Sequence, residues 1–301
     1  AWKMNAVTLA AQVLTLPLCI YHFHQFPSYF LLTNFLAVPL SSMILLTEIF
    51  LCAISFFPAA AGLTGQFISM AIGWMNRFVE NTESLPGSVW EGLQLSVLQV
   101  IFLILFIAGC SYWLMEREKK GLVCGLMMLL GFLALRSFSF VQRGRQQLVV
   151  VYNIPKKKAV DLIKGRKYMF TGDSDLLAHS FSLNFHFRPA RTLFRISPAG
   201  NLDGLVMDRN YVQFGSKRIL LMDESISYAP ASAKQTVDLL IISHNPELYL
   251  KELTASFSTK QVVSDGSTPA WKVNYWKNDC DSLRIPWHDV RENGAFVMKL
   301  R

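Results

Sequence analysis

Between Met4 and Thr47 the chain carries no Lys, Arg, Asp or Glu, and after Glu48 the next charge is Arg77. Soluble cores seldom hold such stretches, whereas a helix crossing a bilayer needs roughly 20 apolar residues. The first stretch exceeds one span, and Pro17, Pro27 and Pro39 divide it. Because proline ends or kinks a helix, the pattern predicts a helix from about Asn5 to Tyr21, a short re-entrant or broken helix over 28–38, and another from Leu40 to Phe57. His22, His24, Gln25 and Asn34 lie among these segments and are costly in lipid, so they are expected to face a bundle interior or a lumen. Residues 63–80 place apolar side chains at helical spacing with Arg77 and Glu80 at one end, as in an amphipathic helix in the interface or over the bundle. The uncharged run Gly92–Met115, the loop "EREKK" and the apolar run Gly121–Val141 make a helical hairpin, with Arg136 near its far end placed to snorkel.

From Leu148 the texture changes to short branched and aromatic runs between turn residues. "LVVVYN", "KYMF", "SFSLNFHF", "RTLFRI", "RILLMD", "VDLLIIS" and "KQVVSD" all read as strands. A helix is expected after Asn245, with Asn245 as N-cap, Pro246 at the first helical position and Glu247 at the positive dipole end. The predicted architecture is a polytopic α-helical membrane domain over 1–141, a linker over 142–147, and an α/β soluble domain over 148–301.

Composition agrees with the division. The chain's 301 residues are 52% apolar with 22 Phe, above what a soluble domain carries. Residues 1–140 hold six basic and six acidic side chains, so the net charge of +8 lies on the remainder. A basic domain beside a membrane suits a polyanion, either nucleic acid or anionic lipid headgroups; the alternative is a solvated surface with a modest positive excess. Loop charges place "EREKK" inside and the soluble domain outside by a small margin. Four of the five cysteines lie in apolar runs and Cys280 stands alone, so neither a disulfide framework nor a Cys-x-x-Cys metal pair is expected. The opening "AWKMNAV" has no basic n-region or cleavage site, which reads as the later part of a longer protein.

"LAAQVLTLPLCIYHFHQFPSYFLLTNFLAVPL", residues 9–40, resembles the competence domain of the ComEC family of inner-membrane DNA-uptake channels, through its Ala-Gln pair, mid-helix proline, aromatic and His turn, and the Asn before Pro39. The soluble half resembles that family's C-terminal domain, of metallo-β-lactamase-like (αββα) fold, in the version carried by Bacteroidetes-type members. Where the family's first strand runs into Asp-Val-Gly-Gln-Gly-Asp-Ala, this chain has Asn153, Ile154, Pro155, Lys156, Lys157, Lys158 and Ala159. "MFTGD" resembles the Ile-Asp-Thr-Gly step, and "DLLIISHNPELYLKEL" falls where the family has a strand, Ser-His, and further ligands. His244 matches the first histidine, whereas Pro246, Leu248 and Tyr249 stand at the other ligand positions.

A hydrolytic zinc needs at least three His, Asp, Glu or Cys ligands. His179, His186, His244 and His288 are widely separated, and the sole His-x-His, His22 and His24, lies in the membrane half. No catalytic residue and no cofactor is therefore assigned, and His244 is read as vestigial. The resemblance implies a bacterial plasma-membrane channel for single-stranded DNA, working with lipid, other uptake machinery and possible further copies of itself. Gln12, Phe23, Gln25, Phe26 and Asn34 are the channel-lining candidates, against a helix-packing role for each. Lys156, Lys157, Lys158, Arg188 and Arg191 are the DNA-contact candidates, with Arg195 nearby and Trp271, Tyr275 and Trp276 as stacking surfaces or core. The alternatives are a membrane-tethered, metal-dependent nuclease and an unrelated transporter or scaffold.

Overall fold

The computed structural model describes residues 2–178, 180–225 and 234–300. The chain divides into two compact units, Ala1–Ser137 and Phe138–Arg301.

The first unit is built on α1 (Trp2–Phe23), α2 (Phe30–Ala53), α3 (Pro58–Glu83), α4 (Val97–Glu116) and the greater part of α5 (Lys119–Gly144). All but α3 are long and apolar enough to cross a bilayer. The expected break at Pro39 is absent, since α2 runs through it. A transmembrane helix tolerates proline when hydroxyls and neighbouring helices satisfy nearby carbonyls, and here Ser41 and Ser42 both donate to the Val38 carbonyl. The stretch between α1 and α2, outside the expected helices, is a short strand. β1 (Gln25–Pro27) pairs antiparallel with β2 (Val89–Glu91), setting Phe26 opposite Trp90. A capping box between Ser96 and Gln99 starts α4, and Arg117, at φ 59°, ends it. Two helices then approach within backbone contact: a Cβ on Gly109 would stand 2.8 Å from Gly125 Cα. Such approach, which only small residues allow, is how helices associate in lipid. Arg136 does not simply snorkel, because its guanidinium donates to the Gln94 carbonyl at 3.0 Å.

The second unit is a four-layer sandwich. A five-stranded sheet is ordered β15 (Phe296–Lys299), β3 (Gln147–Val151), β4 (Ala159–Lys164), β5 (Lys167–Gly172), β6 (Ser197–Pro198). A six-stranded sheet is ordered β14 (Trp287–Asp289), β13 (Val262–Ser264), β11 (Leu239–Ile242), β9 (Lys217–Met222), β8 (Tyr211–Phe214), β7 (Leu205–Asp208), while β10 (Gln235–Val237) and β12 (Phe257–Thr259) form a separate pair. Alternation along the strands sorts the side chains. Leu239 and Ile241 join Val149, Val151, Val160 and Leu162 between the sheets. Leu240 and Ile242 turn outward against α9 (Leu250–Ser256) and α10 (Ala270–Leu283). The other sheet's outer face is covered by α6 (Asp175–Ala178), α7 (Ser180–Ser182), a π-helical turn at Leu183–Phe187, and α8 (Arg188–Phe194). The short α11 (Val290–Asn293) follows β14.

Three predictions are corrected by this fold. "SFSLNFHF" and "RTLFRI" are helical, because Leu183, Phe187, Ala190 and Phe194 pack along one face against the sheet. The helix after Asn245 starts only at Leu250, with Tyr249 at the N-cap, since the intervening backbone has other partners: Glu247 N–H donates to Ser225 Oγ, and the Pro246 carbonyl accepts from Lys272 Nζ.

Candidate functional site

β9, β11, β13 and β14 run parallel, with Met222, Ile242, Ser264 and Asp289 in register. Their carboxyl ends therefore present Asp223, Ser243, His244 and Asp265 along one edge, the place where open α/β sheets hold ligands. Two glycines bring the basic turn 154–158 to the same edge. A Cβ on Gly172 would meet the Lys158 carbonyl oxygen at 2.2 Å, and one on Gly266 the Ile154 oxygen at 2.2 Å, so no side chain fits at either position. Lys158 N–H donates to Asp173 Oδ2 (3.1 Å), Asp173 N–H donates to the Lys158 carbonyl (3.0 Å), and Lys156 N–H donates to the Gly266 carbonyl (2.8 Å).

Two charge contacts lie within this cluster. Lys158 Nζ lies 2.7 Å from Asp223 Oδ2, with the lysine side chain only 8% exposed. His244, at φ 58°, has Nε2 3.4 Å from Asp173 Oδ1. Asp265 is fully buried; its Oδ1 accepts from the Ser267 N–H and hydroxyl, and burial pushes its carboxyl above the usual range.

The metal that a metallo-β-lactamase-like fold implies does not fit these residues. Among those described, no three His, Cys, Asp or Glu side chains converge as a metal requires. An ammonium, which supplies donors and no acceptor, instead sits on the strand-end carboxylate. Past His244, Pro246 is buried, Leu248 packs into the core and Tyr249 is exposed. His186 rests edge-on against Phe185, and His288 Nε2 lies 2.9 Å from the Gly294 carbonyl. His179 lies outside the described residues.

The five basic candidates separate. Lys156 is exposed, with no side-chain partner among the described residues. Lys157 pairs with Asp175 at an accessible site, and Arg188 donates to Asn184 Oδ1 at 3.1 Å. Lys158 and Arg191 are not available to a phosphate. Arg191 makes two bonds, 3.0 and 3.1 Å, to the fully buried Asp161, which also accepts from Tyr152 Oη at 2.7 Å. Its guanidinium lies 4.1 Å and 4.3 Å from the Tyr168 and Phe187 ring centres. Trp276 is core, donating Nε1–H to the Leu248 carbonyl, while Trp271 and Tyr275 are exposed on a groove of about 780 Å³ whose lining includes Glu247 and Asp279.

Of the membrane candidates, Asn34 lines a hollow of about 280 Å³ with Thr33, Tyr29, Thr82 and Glu83. Gln12, Phe23, Gln25 and Phe26 do not line it. Phe23 is 68% exposed at the end of α1. Gln25 faces Glu91 across the ribbon, and Phe26 packs edge-on against Phe30 at 5.7 Å. Sequence reasoning missed Thr82 and Glu83 in this hollow, and Asp223 and Asp265 at the strand ends. The signal for Asp223 was present, as it directly follows an apolar run, while Asp265 stands one serine beyond its strand's valines.

A membrane protein carrying a lactamase-like sandwich is the class these features define. Residues 149–300 match the family model described as ComEC C-terminal domain, and residues 1–117 that described as Competence protein. The chain belongs to the ComEC family, and its role is in DNA uptake for transformation. No curated protein and no solved structure matches it.

Proposed function

We propose that the chain is a component of an inner-membrane channel for single-stranded DNA, with the sandwich acting as a non-catalytic guide or docking platform for the incoming strand. The non-catalytic reading is carried by the stretch beyond His244: a buried proline, a core leucine and an exposed tyrosine, none able to complete a metal's ligand set. In support of a conduit, three of the four apolar helices and the hollow at Asn34 belong to the part that matches the competence family. Lys156 and Lys157, with Arg188, are the groups that contact phosphates, in company with lipid and other uptake components. Asn34→Leu and Gln25→Ala are expected to lower transformation at unchanged protein abundance. Full transformation by both variants would remove the conduit assignment. Stoichiometric zinc or manganese in the purified chain, with nuclease activity lost in His244→Ala, would replace the non-catalytic reading with the nuclease one. Lys156→Ala is expected to reduce the salt slope of oligonucleotide binding by about one.

A further inference from the structure

The helical layer over the five-stranded sheet has an outer surface that soluble proteins avoid. Phe181 is 72% exposed and Phe185 65%, with their rings stacked at 5.6 Å and 6°. Leu177, four residues before Phe181, is 41% exposed, and Leu193 on α8 is 45% exposed. Phe181 and Phe185 thus form an unburied, stacked apolar pair. Large apolar side chains grouped in this way mark an interaction surface.

The occupant is indicated by the contacts that hold this layer. Residues 138–144, the last turns of α5, belong to the same compact unit as the sandwich. Arg143 lies over the Phe194 ring at 5.4 Å, and Arg166 over the Phe140 ring at 4.2 Å. Gln146 Nε2 donates to both the Phe194 and Gly165 carbonyls at 2.8 Å. The C-terminal end of α8 is thus latched to the end of a helix that is long and apolar enough to span the bilayer. A spanning helix ends at the interface, so whatever is latched to that end is held at headgroup depth. Exposed Phe and Leu side chains held at that depth form a surface that enters the headgroup and acyl boundary.

We propose that the Leu177–Phe181–Phe185 face is a lipid-binding surface, which lays the helical cap of the sandwich onto the bilayer. This rests on the reading of α5 as a membrane span and is independent of DNA conduction. To test it, the full chain is placed in nanodiscs of phosphatidylethanolamine and phosphatidylglycerol containing a photoactivatable phospholipid, irradiated, digested and mapped by mass spectrometry. Lipid adducts are expected in the 175–194 peptide as well as in α1, α2, α4 and α5. Phe181→Ser with Phe185→Ser is expected to cut the 175–194 adducts several-fold while those in the spans persist and the buried Cys280 stays protected from maleimide. Should the double variant expose Cys280, Phe185→Ser alone is read in the same way. Adducts confined to the spans, or crosslinks from this peptide to a second copy of the chain in place of lipid, overturn the proposal. Either result leaves the transformation tests of the channel untouched.

Discussion

The two units use a similar stock of apolar residues for opposite purposes. In the first, large side chains such as Leu14, Phe50, Leu105 and Leu130 stay exposed and few residues are buried, because in lipid an apolar side chain gains nothing by leaving its surroundings. Cohesion there comes from backbone approach, as at Gly109 and Gly125, and from polar groups returned to carbonyls, as with Arg136. In the second, water drives burial into three apolar clusters, and the buried Asp161 and Lys158 each meet an opposite charge.

The contrast breaks hardest at Arg191. Arg191→Ala leaves Asp161 buried without its cation and is expected to cost about 3–5 kcal/mol, seen as early thermal exposure of Cys280 to maleimide. That thiol is a built-in reporter, since it is fully buried and burial pushes its pKa up to about 12. Melting of the helical unit in detergent is expected to stay the same.

A smaller loss is expected at Lys158. Lys158→Met costs about 2–3 kcal/mol, below the full figure for a buried pair because the Asp223 side chain is 28% exposed. Adding Asp223→Leu is expected to recover part of the loss, and EDTA is expected to leave the native Cys280 profile unmoved. Simple additivity of the two substitutions, or a profile that collapses in EDTA, would count against an internal cation.

Gly125→Leu reverses the comparison by acting on the first unit alone. Overpacking against the Phe106 carbonyl and Gly109 is expected to cost about 1–3 kcal/mol, as a lower detergent melting temperature with Cys280 protection unchanged.

The smallest effect is one of pH. Burial holds the Asp265 carboxyl above the ordinary carboxylate range despite its Ser267 bonds, so its ionisation costs more in the folded unit than in the unfolded chain. That cost is absent below the unfolded pKa, grows as pH rises from about 4 towards the folded value, and is constant above it. Asp265→Asn keeps the Oδ1 acceptor and removes the titration. Its melting temperature is expected to gain on the native chain with rising pH over that window, and a flat difference would sink the assignment.

Local pattern carried the first span, the hairpin and five of the eleven strands in the two sheets, because unbroken apolar length and branched runs are properties of the chain itself; it split the second span at Pro39, through which α2 runs. It also carried the family resemblance. It misread "SFSLNFHF" and "RTLFRI", whose aromatic texture suits a strand while their spacing serves a helix laid on a sheet. It also treated five basic residues alike. A lysine's neighbours come from elsewhere in the chain: Asp223 lies 65 residues from Lys158, and Asp161 lies 30 from Arg191. Only the folded chain separates Lys156, displayed to solvent, from Lys158 two residues later, drawn inward onto a carboxylate. His244 was legible as a residue at a strand end. Tertiary packing decided what stands beside it, because parallel strands bring their carboxyl ends together whatever the distance between them in sequence.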